Sequence, residues 1–226
     1  MTIPKKIHQL WIPYENGAVL PELVISQCDT WKKHHPHYEY KLWSLPEAVD
    51  IAEKTFGPFC VTAMRMARIP AMKADIARLV LLYAFGGYWV DLKLHALKPF
   101  LDDFHREKIV LAEHFPTPKH PNPTEHRLLI NAFIGAEAKQ DLITRVLQIA
   151  VSNVLLLNKG GIWGLTGPRT LMMARDEFIH IRKQADFNPL ILNHRDTWDK
   201  LFKIGSGVGG VHWSKREKNE EIYELV

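Results

Sequence analysis

Cysteine is scarce in this chain. Only Cys28 and Cys60 occur among 226 residues, with no C-x-x-C pair. That argues against a disulfide scaffold or a cysteine zinc site, and two reduced thiols in a cytoplasmic setting are expected. Long apolar runs are missing as well. The uncharged stretch from Leu79 to Val90 falls well short of the roughly 18–20 residues that cross a bilayer, and a Gly pair interrupts it. The start, Met1-Thr-Ile-Pro-Lys-Lys6, has no apolar core of a secretory leader, so a cytoplasmic location is expected. Neither sign of charge dominates: 29 Lys and Arg stand against 25 Asp and Glu, a net +4. The excess is too small to point to nucleic acid. It suits an anionic small ligand such as a nucleotide diphosphate, or a peripheral touch on the inner face of an acidic membrane. Walker A, H-E-x-x-H and G-x-S-x-G motifs are all absent, which removes the main support for NTPase, zincin and serine-hydrolase chemistry.

What is present reads as alternating strands and helices. Lys6–Ile12 and Tyr38–Trp43 have strand character, the second alternating apolar and charged residues. Helices are predicted over 21–33 and 45–56, the latter with Pro46 in its first turn. Ala71–Phe85 is the clearest helix, rich in Ala and Leu and stopped by Gly86-Gly87. Strand period resumes over Tyr88–Leu94, placing Trp89, Asp91, Lys93 and His95 on one side. Short strands are predicted at 108–112, 131–135, 190–192 and 201–204, a long helix over 138–157, and a further helix opening at Thr166-Gly167-Pro168. Four prolines between Phe115 and Glu125 make that segment an extended loop. It is a candidate acceptor groove by its length and place. The pattern predicts one α/β domain over 1–226 with a largely parallel sheet flanked by helices, and a charged, solvated tail from about 215.

Two suggestive motifs carry little. Gly205-Ser-Gly207-Val-Gly209-Gly210 satisfies G-x-G-x-x-G, but only 16 charged-rich residues follow, too few for a dinucleotide βαβ unit. It reads better as a loop before His212. His34-His35-Pro36-His37 lacks metal-ligand spacing and reads as a solvated turn.

The chemistry concentrates in Lys73-Ala-Asp75-Ile-Ala-Arg78 and, after the Gly pair, Tyr88-Trp89-Val90-Asp91-Leu92-Lys93. Asp75 and Arg78 share one helix face that is otherwise apolar, and buried opposite charges need partners. Taken with Ile3-Pro4-Lys5-Lys6-Ile7-His8-Gln9-Leu10-Trp11 before, and Asn131-Ala-Phe-Ile-Gly135, Thr166-Gly167-Pro168 and His212-Trp213-Ser214 after, the ordered set resembles the DXD-containing sugar-transfer glycosyltransferases. It is similar to initiating mannosyltransferases, capsular and lipopolysaccharide transferases, and clostridial glucosylating toxins. The resemblance runs over roughly residues 3–214.

It implies a GT-A fold, a nucleotide-sugar donor, a glycan or lipid-linked glycan acceptor in bacterial-type surface-polysaccharide synthesis, and retention of configuration. It also implies roles. Trp11 would stack on the base, Asp75 and Arg78 would hold sugar and diphosphate, and Asp91 would meet ribose and metal. Tyr83, Gly87 and Asn131 join the donor-binding set, Glu113 is a secondary contact to sugar hydroxyls, and His212-Trp213 would close over the diphosphate. The chain departs from the pattern in one place. Asp-x-Asp is Asp91-Leu92-Lys93 here, a cation where the second carboxylate would hold a divalent ion. Three readings stay open: a metal-independent enzyme in which Lys93 and Asp91 act, an enzyme holding Mn2+ or Mg2+ through Asp91, His212 or another group, and a sugar-nucleotide- or glycan-binding protein without turnover.

Overall fold

The elements follow one another in the expected alternation. They are β1 (Lys6–Trp11), α1 (Glu22–His34), β2 (Glu39–Ser44), α2 (Leu45–Phe56), α3 (Pro58–Met66), α4 (Pro70–Phe85), β3 (Gly87–Val90) and β4 (Leu94–Ala96). There follow β5 (Ile109–Glu113), β6 (Leu129–Ala136), α5 (Asp141–Leu155), α6 (Ile162–Leu165), α7 (Pro168–Asp176), β7 (Leu190–Leu192), α8 (His194–Thr197) and β8 (Phe202–Ile204). The computed structural model describes residues 2–13, 18–183, 187–205, 218 and 221–224.

Six strands form the central sheet in the order β2-β1-β3-β6-β5-β7. Only β6 runs against the others, antiparallel to both β3 and β5. The sheet is therefore mostly parallel, as the alternation predicts. Its side chains sort by the two-residue period of a strand. In β5, Ile109 and Leu111 join the core under α2–α5 and α7, while Val110 and Ala112 join the core on the other face. In β3, Trp89 goes one way and Tyr88 and Val90 the other.

Local signals set the helix ends. Ser44 and Glu47 make a reciprocal capping box at the start of α2, with Pro46 in the first turn. Gly57, at φ 75°, ends α2 and hands over directly to α3, a helix the sequence pattern does not predict. Helix α4 is buried on nearly every side, from Met72 through Leu82, and Gly86, at φ 62°, closes it by donating its N–H to the Leu82 carbonyl at 2.8 Å.

The structure corrects four expectations. The strand over 88–94 stops at Val90, because the chain turns at Asp91: the Leu94 N–H reaches back to the Asp91 carbonyl at 2.9 Å. Residues 94–96 then pair with β8 in a separate two-stranded sheet, so Lys93 and His95 do not continue the face of Trp89. The tail is docked where it is described: Arg68 donates to the Ile222 carbonyl and Glu224 to the Met66 carbonyl, beside an Ala67–Tyr223 bridge. His35 is 1% exposed, packed against Trp31, Tyr38 and Phe100, rather than solvated. The proline-rich loop after Phe115 stands beside the main cleft, which only His114 and Phe115 of that region line. Both cysteines are free, buried thiols. Among the described residues, no helix is long and apolar enough to cross a membrane.

Candidate active site

Parallel strands leave their carboxyl ends on one edge of the sheet, where ligands of open α/β folds bind. Here that edge opens into a cleft of about 820 Å3. Trp11 ends β1 on its wall, Asp91, Leu92 and Lys93 follow β3, and His114 and Phe115 follow β5.

One internal network gives the cleft its floor. Arg78, 4% exposed, lies between two carboxylates, its Nη2 at 3.1 Å from Asp75 Oδ1 and 3.2 Å from Asp91 Oδ1. Its Nη1 donates to the Asn131 carbonyl at 2.6 Å, and its guanidinium carbon sits 5.1 Å from the centre of the Trp89 ring. Asp75 accepts from Asn131 Nδ2 at 2.9 Å and from the Thr166 hydroxyl at 2.8 Å. Burial pushes its carboxyl above the ordinary value, against the pull of Arg78, Thr166 and Asn131. Asp91 also accepts from Trp89 Nε1 at 2.9 Å, and its side chain keeps 22% of its surface exposed.

Asn131 reaches this network because the β5–β6 register jumps: Leu111 pairs with Ile134, but Ala112 pairs with Ile130. Such a bulge takes residues out of the ladder and re-aims them. The freed Asn131 carbonyl serves Arg78, and the Ala132 carbonyl takes the Asp91 N–H at 2.8 Å. Gly167 lets Thr166 approach Asp75. A Cβ there would lie 2.9 Å from the Trp163 Cα.

The cleft and its network thus bring together Trp11, Asp75, Arg78, Asp91, Lys93 and Asn131. Tyr83 and Gly87 lie elsewhere. The Tyr83 ring packs 4.7 Å from Phe56. Gly87, at φ 99°, sits at the opposite end of β3, where a Cβ would come within 2.7 Å of the Lys6 carbonyl oxygen. Its need is steric. Glu113 is also spent internally: it accepts from the His194 N–H at 2.8 Å and the Thr124 hydroxyl at 2.7 Å. His212 and Trp213 lie outside the described residues. The sequence reading passed over His114, Phe115, Trp163 and Trp198, all of which line the cleft. Phe115 and Trp198 meet edge-on at 5.4 Å, and Trp198 Nε1 donates to the Glu113 carbonyl at 3.0 Å. Isolated aromatics in loops and in the one-turn helix α6 gave no periodic signal; for His114 and Phe115, adjacency to the end of β5 was the available hint.

Comparison with known proteins bears on the family and the fold. Residues 21–115 match the family model described as a glycosyltransferase sugar-binding region containing a DXD motif. Over that stretch, less than half of the chain, it is similar to the DXD-type glycosyltransferase region, and its fold is GT-A. It is 28% identical over 100 residues to the initiation-specific alpha-1,6-mannosyltransferase of Saccharomyces cerevisiae, covering 43% of this chain and 21% of that protein. Over 90 residues it is 33% identical to inositol phosphoceramide mannosyltransferase 3 of Schizosaccharomyces pombe, covering 40% and 24%. It thus spans about a quarter of the length of these two curated relatives. Among solved structures, the catalytic domain of alpha-toxin from Clostridium novyi superposes with TM-score 0.55 at 9% identity, covering 80% of this chain and 73% of that one. The PaToxG glycosyltransferase superposes with TM-score 0.54 at 19% identity, covering 79% and 70%.

A DXD-type glycosyltransferase site implies a divalent ion, and the described residues do not form a site for one. No three His, Cys, Asp or Glu side chains converge among them. Asp91 already gives Oδ1 to Arg78 and Trp89, and Lys93 stands where the second carboxylate would be.

Proposed function

We propose that this chain is a glycosyltransferase moving a hexose from a nucleoside diphosphate sugar to a glycan acceptor, with retention at the anomeric carbon. The observation that carries the reading is the cleft at the carboxyl edge of the sheet, with Trp11 on one wall and the Asp75–Arg78–Asp91–Asn131 network as its floor. An indole offers a nucleobase a flat apolar face. Asp91, with one carboxylate oxygen outside the network, can accept from a sugar hydroxyl. Arg78, held by two carboxylates, acts by orienting Asp91 rather than as a free phosphate fork.

In the transfer, the bond between the anomeric carbon and the diphosphate oxygen breaks and the electron pair leaves with the diphosphate. The acceptor oxygen bonds to that carbon and its proton passes to a diphosphate oxygen. Retention is supported by the state of the carboxylates. Asp75 and Glu113 are buried and engaged, and Asp91 is partly engaged, so none stands free as an inverting base; same-face attack needs none. The apolar wall formed by Phe115, Trp163 and Trp198 suits the face of an acceptor sugar and helps keep water from competing for the donor. The hexose is supported by the names of the mannosyltransferase relatives, and the donor class by a UDP-bound toxin domain of like fold (TM-score 0.52). The mannosyltransferase relatives are fungal and lend no support to a bacterial-type surface polysaccharide as product.

The test is thermal melting against UDP-, GDP- and CMP-sugars, followed by NMR of the product formed from the donor that stabilises. A ligand at 100 times its Kd adds about 2.7 kcal/mol, several degrees in a chain of this size. A stabilising donor whose sugar is transferred with its anomeric configuration kept is the expected result. Stabilisation without turnover on any acceptor would identify a binding protein, and no stabilisation would remove the reading.

A further inference from the structure

We propose that the Lys93 ammonium takes over the electrostatic task of the divalent ion, so that this protein binds its nucleoside diphosphate ligand without metal. The inference rests on the cleft being a donor site. It is carried by charge and position together.

Replacing a carboxylate by an ammonium changes a site by two positive charges, which is the charge of the ion such a carboxylate would hold. In this cleft Asp75 and Asp91 contribute two negative charges, and Arg78 and Lys93 two positive ones. The set is neutral as it stands. With a carboxylate at 93 it would carry a deficit of two, and a divalent ion would be needed to fill it. An ion brought in beside Asp91 here would instead face an ammonium two residues away.

Arg78 cannot do this work, because both carboxylates are already within 3.2 Å of its Nη2 and it is almost wholly buried. Lys93 can. No ion pair of Lys93 occurs among the described residues, a feature it shares with Lys33, Lys73 and other lysines; what sets it apart is that it lines the cleft. Its backbone is nevertheless fixed. It sits in the turn closed by the Leu94 N–H to the Asp91 carbonyl, and its own carbonyl takes the Gly205 N–H at 2.7 Å. A flexible four-carbon arm on a fixed root, lining a cleft of about 820 Å3 and with no ion pair among the described residues, suits a phosphate-binding lysine. The neighbouring His114 adds no competing negative charge. Its Nδ1 donates to the Phe115 carbonyl, and burial, with a smaller push from Lys93, favours its neutral form.

The experiment is calorimetric titration of UDP and GDP into the full chain, in EDTA and in Mn2+. It uses the parent, Lys93→Met, Lys93→Asp and Trp11→Ala, each first checked for unchanged melting. The parent is expected to bind one nucleotide with the same affinity, within about twofold, in EDTA and in Mn2+. Lys93→Met should lose about 10- to 100-fold in both, the value of a charge-assisted contact. Lys93→Asp should bind poorly in EDTA and recover with Mn2+, because it restores the two-carboxylate pattern. Binding by the parent that collapses in EDTA, or affinity unchanged in Lys93→Met, overturns the role of Lys93. Binding that Trp11→Ala abolishes while metal is still required leaves the donor site standing and removes only this inference. No nucleotide binding under any condition removes both.

Discussion

Strand β3 is only four residues long, yet its two ends differ. At the entry, Gly86 and Gly87 take positive φ angles, and the Gly86 carbonyl accepts from His8 Nε2 at 2.8 Å, while His8 Nδ1 accepts from Trp43 Nε1 at 3.1 Å. Both ring nitrogens are used and the imidazole is 3% exposed. At the exit, Asp91 is partly open, the chain leaves the sheet in a turn, and Lys93 lines a cleft. One end spends its polar groups on closing β1 against β3. The other keeps capacity unspent, and unspent polar groups at the mouth of a cleft are what a ligand can use. A motif that reads as one signature in sequence therefore divides into a structural half and a chemical half.

Substitutions at the two ends should separate accordingly. The largest effect is expected where they are tied together. Arg78→Met leaves Asp75 and Asp91 without their shared cation and should cost about 3–5 kcal/mol, read as a lower urea midpoint at constant m. Next comes acid. Burial pushes His8 and His35 down to about 4 each, below the roughly 6.5 of the unfolded chain. Their neutral forms contribute fully above pH 6.5, and that stability is lost as pH falls from 6.5 through 4, on the order of 3 kcal/mol for each. Because both His35 ring nitrogens lack partners among the described residues, His35→Phe should flatten the acid slope; a slope unchanged from the parent would contradict this. Gly87→Ala should cost about 2–3 kcal/mol through strain at φ 99° and the 2.7 Å approach to the Lys6 oxygen, with nucleotide affinity of the folded fraction unchanged. Lys93→Met should change stability least, within about 0.5 kcal/mol, while weakening nucleotide binding. A stability loss at Lys93 matching that at Gly87 would erase the distinction between the ends.

Much of the fold was legible because its signals are local. Pro46, Gly86 and Pro168 all punctuate helices where they stand, whereas the handover at Gly57 into α3 was not legible. Parallel pairing was legible from alternation. The break after Val90 was not, since period two continues through Lys93 in sequence; the Asp91 N–H still reaches the Ala132 carbonyl, 41 residues away, before the chain turns through the Leu94 N–H to the Asp91 carbonyl. The site was legible at Asp75, Arg78 and Asp91 as residue types, but not in how they share charge. The bulge that presents Asn131 is a property of two strands in register, and no single strand encodes it visibly. His35 was misread for a related reason: its burial comes from Phe100, remote in sequence.

The most direct test of the account is nucleotide affinity in Trp11→Ala and Asp91→Ala set against His8→Gln, measured by calorimetry on protein folded to the same extent. The first two, at the carboxyl edge of the sheet, are expected to lose at least about tenfold in affinity, with melting nearly unchanged for Trp11→Ala and lowered for Asp91→Ala, which takes a carboxylate from the buried Arg78 and an acceptor from Trp89 Nε1. His8→Gln is expected to lower melting and leave affinity alone. Equal affinity in all three and the parent, or a loss confined to His8→Gln, would place the ligand somewhere other than this cleft.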